Sequence, residues 1–148
     1  RRSFAPRTLM PTSARGGSDC CGHQCCGVPV PPGDHTEKAE ALLEQDPDWA
    51  APLLWRSEFR NILAGYMRRK TLTFEAARDV QLEAENLLAG AEHEVDSRLV
   101  LGLVRDSDCS AYDCEFVALA MTLGAKLVTM DTKLLKAFPK YAVALTAG

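Results

Sequence analysis

The chain has 148 residues, 47% of them apolar and 25% charged, which suits one domain with a real core and is short for two. Its net charge of −3 provides no overall basic field to draw in a polyanion, so nucleic acid would have to be met by a local patch or a metal ion. No apolar run is long enough to span a bilayer, which argues against a membrane role.

Residues 1–31 stand apart from the rest. RRSFAPRTLMPTSARGGSDCCGHQCCGVPVP has no helical or strand period and is dense in Pro, Gly and Cys. An arginine-rich, acid-free start has the composition of an organellar transit peptide, but its prolines and glycines break the amphipathic helix such peptides form. Cys20, Cys21, Cys25, Cys26 and His23 are zinc ligands in kind, yet their spacing departs from separated C-x-x-C pairs. A third reading follows from the genetic code. When the codons of Cys20–Pro31 are read one base later, those beginning inside Cys20, Cys21, Cys25 and Cys26 can specify only Val or Ala, and those between allow Asp, Thr and Asn. One permitted translation is V-V-D-T-N-V-V-A-Y-L-F-L, a buried strand that carries an acid. The expectation is that residues 1–31 are a frame-shifted translation of a lost first strand and that residues 32–148 form the domain.

From Gly33 onward the periodicity is clean. Asp34 with Glu37 has the pattern of a capping box, and the helix behind it puts Ala39, Leu42 and Leu43 on one face before Asp46-Pro47 ends it. Trp49–Ala51 reads as a short strand closed by Pro52. Leu54, Trp55, Phe59, Ile62, Leu63 and Tyr66 recur at helical spacing, with Glu58 in the first two turns between Arg56 and Arg60. Thr73 caps a helix through Leu88 that stops at Gly90, Glu92–Val95 reads as an alternating strand, and Ser97–Val104 as a short helix. Then come a helix from Ser110 that turns at Gly124, a strand over Lys126–Met130, a helical turn over Thr132–Phe138, and a closing strand over Ala142–Leu145. Strands alternating with helices imply a parallel α/β sheet. Of the six cysteines, four crowd together and Cys109 and Cys114 flank one helix start, which fits a reducing cytoplasm better than a disulfide framework.

The chemistry is carried by carboxylates. Asp113 follows Ser110 at capping-box spacing, Asp131 suits the N-cap of the next helical turn, and Glu58 suits a solvated pair with Arg56 or Arg60. In a parallel α/β fold, strand C-termini and the starts of the following helices share one edge, so Asp113 and Asp131 converge there and Glu58 can reach across. Oxygen-only ligands favour Mg²⁺ or Mn²⁺, and such an ion activates water and neutralises phosphate charge. No Ser/His/Asp or Cys/His set and no phosphate-binding glycine loop is present.

WRSEFRNIL and SAYDCEFVALAMTLGAKLVTMDTKLL, with their spacing, resemble PIN-domain proteins, in particular VapC-type toxins of bacterial toxin–antitoxin pairs, over about Pro32 to Leu145. The resemblance implies a three-layer α/β/α fold with a central, mainly parallel sheet whose first strand is disrupted here. It also implies a ribonuclease dependent on Mg²⁺ or Mn²⁺, an RNA substrate and a protein antitoxin, and dimers are usual in the family. Glu58, Asp113 and Asp131 fall on three acidic positions of the family as catalytic and metal-binding residues, and Thr129 on its supporting Thr. The family's first acid, in a D-T-N-like motif ending the first, central strand, is absent as written; neither Asp19 nor Asp34 replaces it, whereas the shifted frame supplies it. Arg56, Arg60, Arg68, Arg69, Lys133 and Lys136 are candidate phosphate contacts. The expectation is therefore an endoribonuclease impaired by loss of its first acidic motif. The rivals are a catalytically inactive PIN-like protein binding an antitoxin or nucleic acid, and a zinc module built on Cys20–Cys26.

Overall fold

A computed structural model describes residues 10–11 and 49–144. The expected helix behind Asp34, the Cys20–Cys26 cluster, the shifted-frame segment and Leu145 lie outside the described residues. In chain order the elements are β1 (Met10–Pro11), β2 (Trp49–Pro52), α1 (Trp55–Arg68), α2 (Phe74–Leu87), β3 (Glu92–His93), α3 (Ser97–Arg105), α4 (Ala111–Leu123), β4 (Leu127–Thr129), α5 (Thr132–Ala137) and β5 (Ala142–Ala144).

Helix boundaries follow local chemistry. The Thr73 hydroxyl accepts the N–H of Ala76, and the Asp96 carboxylate accepts that of Arg98, each satisfying a donor that the first turn leaves without a helical partner. α4 opens on a complete capping box between Ser110 and Asp113. It closes on Gly124 at φ 65°, a left-handed conformation that costs glycine no Cβ clash. α4 is apolar over most of its surface, and Cys114 and the run from Phe116 to Ala120 are buried, while Tyr112 in its first turn is exposed.

Among the described residues the strands fall into two sets. β2 pairs in parallel with β3 through Ala51↔Glu92 and Pro52↔His93, and β4 pairs in parallel with β5 from Leu127↔Ala142 to Thr129↔Ala144. All four residues of β2 and all three of β4 are buried, the pattern of strands covered on both faces. α4 packs against both β2 and β4, α1 packs on α2, and α3 on α4. One continuous core runs from Trp49, Trp55 and Leu88 through Phe116 and Leu119 to Leu127, Leu134 and Ala142. Helices therefore cover mainly parallel strands, the expected three-layer α/β/α class.

Three details differ from the sequence expectation. Pro52 is itself the last residue of β2 rather than the first beyond it: the N–H groups of Ala51 and Leu53 bond toward β3, so the position without an N–H points to the opposite edge. β3 shrinks from four residues to Glu92–His93, both half-buried, because only two registers pair with β2. Met10–Pro11 pairs antiparallel with Trp49–Ala50, a contact that no strand period in residues 1–31 announced. The remaining boundaries agree within one or two residues.

Candidate active site

Asp113 and Asp131 sit at helix starts on either side of the α4–β4 unit, and each is held by bonds that also build its helix. The Ser110 hydroxyl donates to Asp113 Oδ2 at 2.6 Å, the Ser110 N–H donates to the same oxygen at 3.1 Å, and the Asp113 N–H returns to Ser110 Oγ at 3.2 Å. Asp113 is buried, with 6% of its surface exposed, so its carboxylate is fixed in position. Asp131 is half-buried. Its Oδ1 accepts the N–H of Lys133 at 2.7 Å and of Leu134 at 3.4 Å, capping α5.

Thr129 is buried at the end of β4, and its hydroxyl accepts the Asp131 N–H at 3.0 Å. It thus orients the backbone that carries the acid. Lys133 crosses from α5 and donates its ammonium to the carbonyl of Asp108, in the loop that leads into α4. This contact ties the two acid-bearing helix starts together. Burial pushes the Cys114 thiol above its ordinary range; the charges of Cys109 and Asp113 push the same way, while Ser107 and Lys133 oppose. Asp113, Cys109, Cys114 and Lys133 are therefore electrostatic neighbours. Cys109 and Cys114 are buried free thiols.

Glu58 is half-buried in the first turn of α1. Carboxylate oxygens are the donors Mg²⁺ and Mn²⁺ prefer. Among the described residues, however, no group of three or more His, Cys, Asp or Glu side chains stands close enough to hold a metal ion. The described carboxylates do not complete a metal centre by themselves.

The six candidate phosphate contacts divide on inspection. Arg56 grips Glu92 with two bonds, from Nε at 2.6 Å and Nη2 at 2.7 Å, and reaches Glu85 from Nη1 at 2.7 Å. Trp55 donates its indole N–H to Glu92 at 2.6 Å. The Arg56 hydrogen bonds, more than any other influence, hold the Glu92 carboxyl below its ordinary range. Arg56 thus joins α1 to α2 and β3, with a third of its side chain still exposed. Arg60 is exposed and donates to the Arg56 carbonyl at 2.9 Å. Arg69 lies over the Tyr66 ring at 4.7 Å. Arg68 and Lys136 are exposed on the last turns of α1 and α5.

Sequence reasoning missed two contributors. Ser107 caps the end of α3 by donating to the Leu103 carbonyl at 2.8 Å, and its hydroxyl accepts the Cys109 N–H at 3.2 Å, which shapes the loop before Asp113. The signal for it was a serine in an Asp-Ser-Asp turn. Glu92 was read only as a strand residue; nothing local marks its partner 36 positions away.

Against known proteins, the PIN domain family matches residues 32–140, a span that takes in Glu58, Asp113, Thr129 and Asp131. No curated protein matches the chain. No helix among the described residues is long and apolar enough to cross a membrane.

Proposed function

The chain belongs to the PIN-domain family, a nuclease-type fold, and from that premise we propose that it descends from a VapC-type endoribonuclease and has lost the first acid of its site. In this reading Glu58, Asp113 and Asp131 are the remaining catalytic and metal-ligating carboxylates, Mg²⁺ or Mn²⁺ is the cofactor, and RNA is the substrate. A protein antitoxin holds it in check, the protein is cytoplasmic, and a dimer is its working state. Residues 1–31 are an out-of-frame translation of the missing first strand, and the domain proper is 32–148. The observation that carries the reading is the rigid placement of Asp113 and Asp131 at two helix starts joined by Lys133, within the matched family span.

The chain as written then cleaves RNA weakly or not at all. An RNase assay with and without Mn²⁺ tests this, run on the chain itself and on a version in which V-V-D-T-N-V-V-A-Y-L-F-L replaces residues 20–31. The restored version is expected to cleave in a metal-dependent way and to lose activity on Asp113→Asn or Asp131→Asn. Full activity from the chain as written, abolished by Asp113→Asn, would show that the first acid is dispensable.

A second reading is favoured because, among the described residues, no three carboxylates stand close enough to hold a metal ion: a catalytically inactive PIN-like protein that keeps its antitoxin- or nucleic-acid-binding surface. Titration with an antitoxin peptide, with and without Mg²⁺, separates the two, because this reading requires binding that is indifferent to metal and no cleavage even after restoration.

A further inference from the structure

The net charge of −3 leaves nucleic acid to a local patch, and one stretch of the chain reverses that sign. From Phe59 to Phe74 there is no acid, while Arg60, Arg68, Arg69 and Lys70 carry four positive charges. The last three follow one another where α1 ends, and Arg68, Arg69, Lys70, Thr71, Thr73 and Phe74 are all exposed. Among the described residues none of Arg68, Arg69 and Lys70 enters an ion pair, unlike Arg56, Arg78 and Arg105.

Two aromatic rings flank the same turn. Tyr66, in the last turn of α1, carries the Arg69 guanidinium over its ring at 4.7 Å. Phe74, the first residue of α2, is 63% exposed and takes no part in the core. The turn itself is well fastened: the Lys70 N–H donates to the Met67 carbonyl at 2.9 Å and the Thr71 N–H to the Tyr66 carbonyl at 3.1 Å. These are the paired bonds of a Schellman turn, and Lys70 is its pivot at φ 57°. At the end of α4 that conformation falls to Gly124. Lys70 is the one non-glycine residue among the described residues to adopt it, at a steric cost that glycine avoids. A cation in the last turn also offsets the helix dipole, but Arg68 does that without strain. A lysine therefore stands where its own backbone disfavours it, and strain of that kind collects at functional positions.

We propose that the turn from Arg68 to Phe74 is a contact surface for single-stranded RNA, apart from the acidic edge. Arg68 and Lys70 meet phosphates, while Phe74 and the Arg69 guanidinium laid on Tyr66 offer planar faces to bases. Cations interleaved with exposed planar groups suit a single strand, whose bases are free to stack, better than a duplex or an acidic peptide. Arg68 stands ten residues beyond Glu58 on α1, about 15 Å along the helix axis, so only a strand that spans this distance touches both. The choice of RNA rests on the proposed ribonuclease function, whereas the surface rests on its own residues.

The test is fluorescence anisotropy of a labelled single-stranded RNA of about 12 nucleotides, titrated with the full chain in EDTA over a series of salt concentrations. Arg68→Gln and Lys70→Gly are each expected to flatten the logarithmic salt dependence by about 0.7, which is about fivefold in affinity at about 0.1 M salt. Lys70→Gly is also expected to raise the melting temperature by about 2–4 °C, because glycine relieves the left-handed turn. Its weaker binding then has no origin in a damaged fold. Phe74→Ala is expected to weaken binding by about tenfold with the salt dependence unchanged. Unchanged affinity in Lys70→Gly, or a loss below about twofold in Phe74→Ala, overturns the proposal. Duplex RNA or polyglutamate bound as tightly as the single strand overturns it as well. Binding is read without a divalent ion, so RNA that is held but never cleaved, even by the restored version, sinks the enzyme reading and leaves this surface standing. Metal-dependent cleavage whose KM does not change in Lys70→Gly or Phe74→Ala does the reverse.

Discussion

Replacing Ser110 with alanine separates the two tasks Asp113 performs. The substitution deletes the hydroxyl that accepts the Asp113 N–H and the 2.6 Å bond that the hydroxyl donates to Asp113 Oδ2, and leaves the 3.1 Å bond from the Ser110 backbone. Loss of a serine N-cap costs about 1 kcal/mol, and a hydrogen bond to a charged group contributes about 1.5–3 kcal/mol. Ser110 is exposed, so water replaces part of what is lost. The sum expected for Ser110→Ala is therefore about 1–2 kcal/mol, a fall of about 3–6 °C in melting temperature for a domain of this size. Urea unfolding followed by circular dichroism reads it directly. With a slope of about 2 kcal/mol per molar, the midpoint moves down by about 0.5–1 M. The companion variant Asp113→Asn, alone and combined with Ser110→Ala, closes a double-mutant cycle. The two changes are expected to be non-additive by about 0.5–1.5 kcal/mol, because each removes the same short bond. A single-variant loss below about 0.3 kcal/mol, or strict additivity, would mean that the capping box does not hold the Asp113 carboxylate, and the rigid-site reading would go with it.

The remaining predictions concern the scaffold. Phe116→Ala empties a fully enclosed position in α4 and is expected to cost about 3–5 kcal/mol in urea unfolding. Gly124→Ala meets no neighbouring atom but must hold φ 65°, so it is expected to cost about 1 kcal/mol from backbone strain alone. The Glu92 carboxyl is held below its ordinary value of 4.5, chiefly by hydrogen bonds from Arg56. Its stabilising contribution is therefore complete above that pH and fades as pH falls below it through the lowered value. Acid titration of stability should accordingly steepen below that pH in the unmodified chain and flatten in Arg56→Met. Lys133→Met should leave the melting temperature nearly unchanged and speed amide exchange over residues 106–110, since the Lys133 contact with the Asp108 carbonyl is lost.

What could be read from the sequence was local. Ser110 with Asp113, Thr73 before its helix, and Gly124 at the α4 terminus announced themselves because capping and the left-handed turn depend on neighbours three or four residues apart. Asp131 announced itself in the same way, as the N-cap of the next helical turn, whereas Thr129, whose hydroxyl accepts the Asp131 N–H, was named only through the family resemblance. Arg56 could not be placed this way. Helical periodicity shows which face a side chain occupies but not that Glu92, 36 residues on, waits there with Glu85 and Trp55. The carboxylates of Glu92 and Glu85 already engage the guanidinium that the sequence offered as a candidate phosphate contact. The pairing of the described strands was equally hidden, since strand order depends on which edges meet rather than on any one strand's composition.

The position of α4 has a mechanical consequence. With β2–β3 and β4–β5 unjoined by backbone bonds among the described residues, α4 contributes by its side chains what a sheet ordinarily contributes through its ladder. Side-chain contacts yield by degrees, whereas a hydrogen-bonded ladder fails as a unit. As far as the described residues go, each strand pair should therefore keep its own protected amides and separate along α4 before either is lost. A continuous five-strand sheet of the same composition would open in one stage.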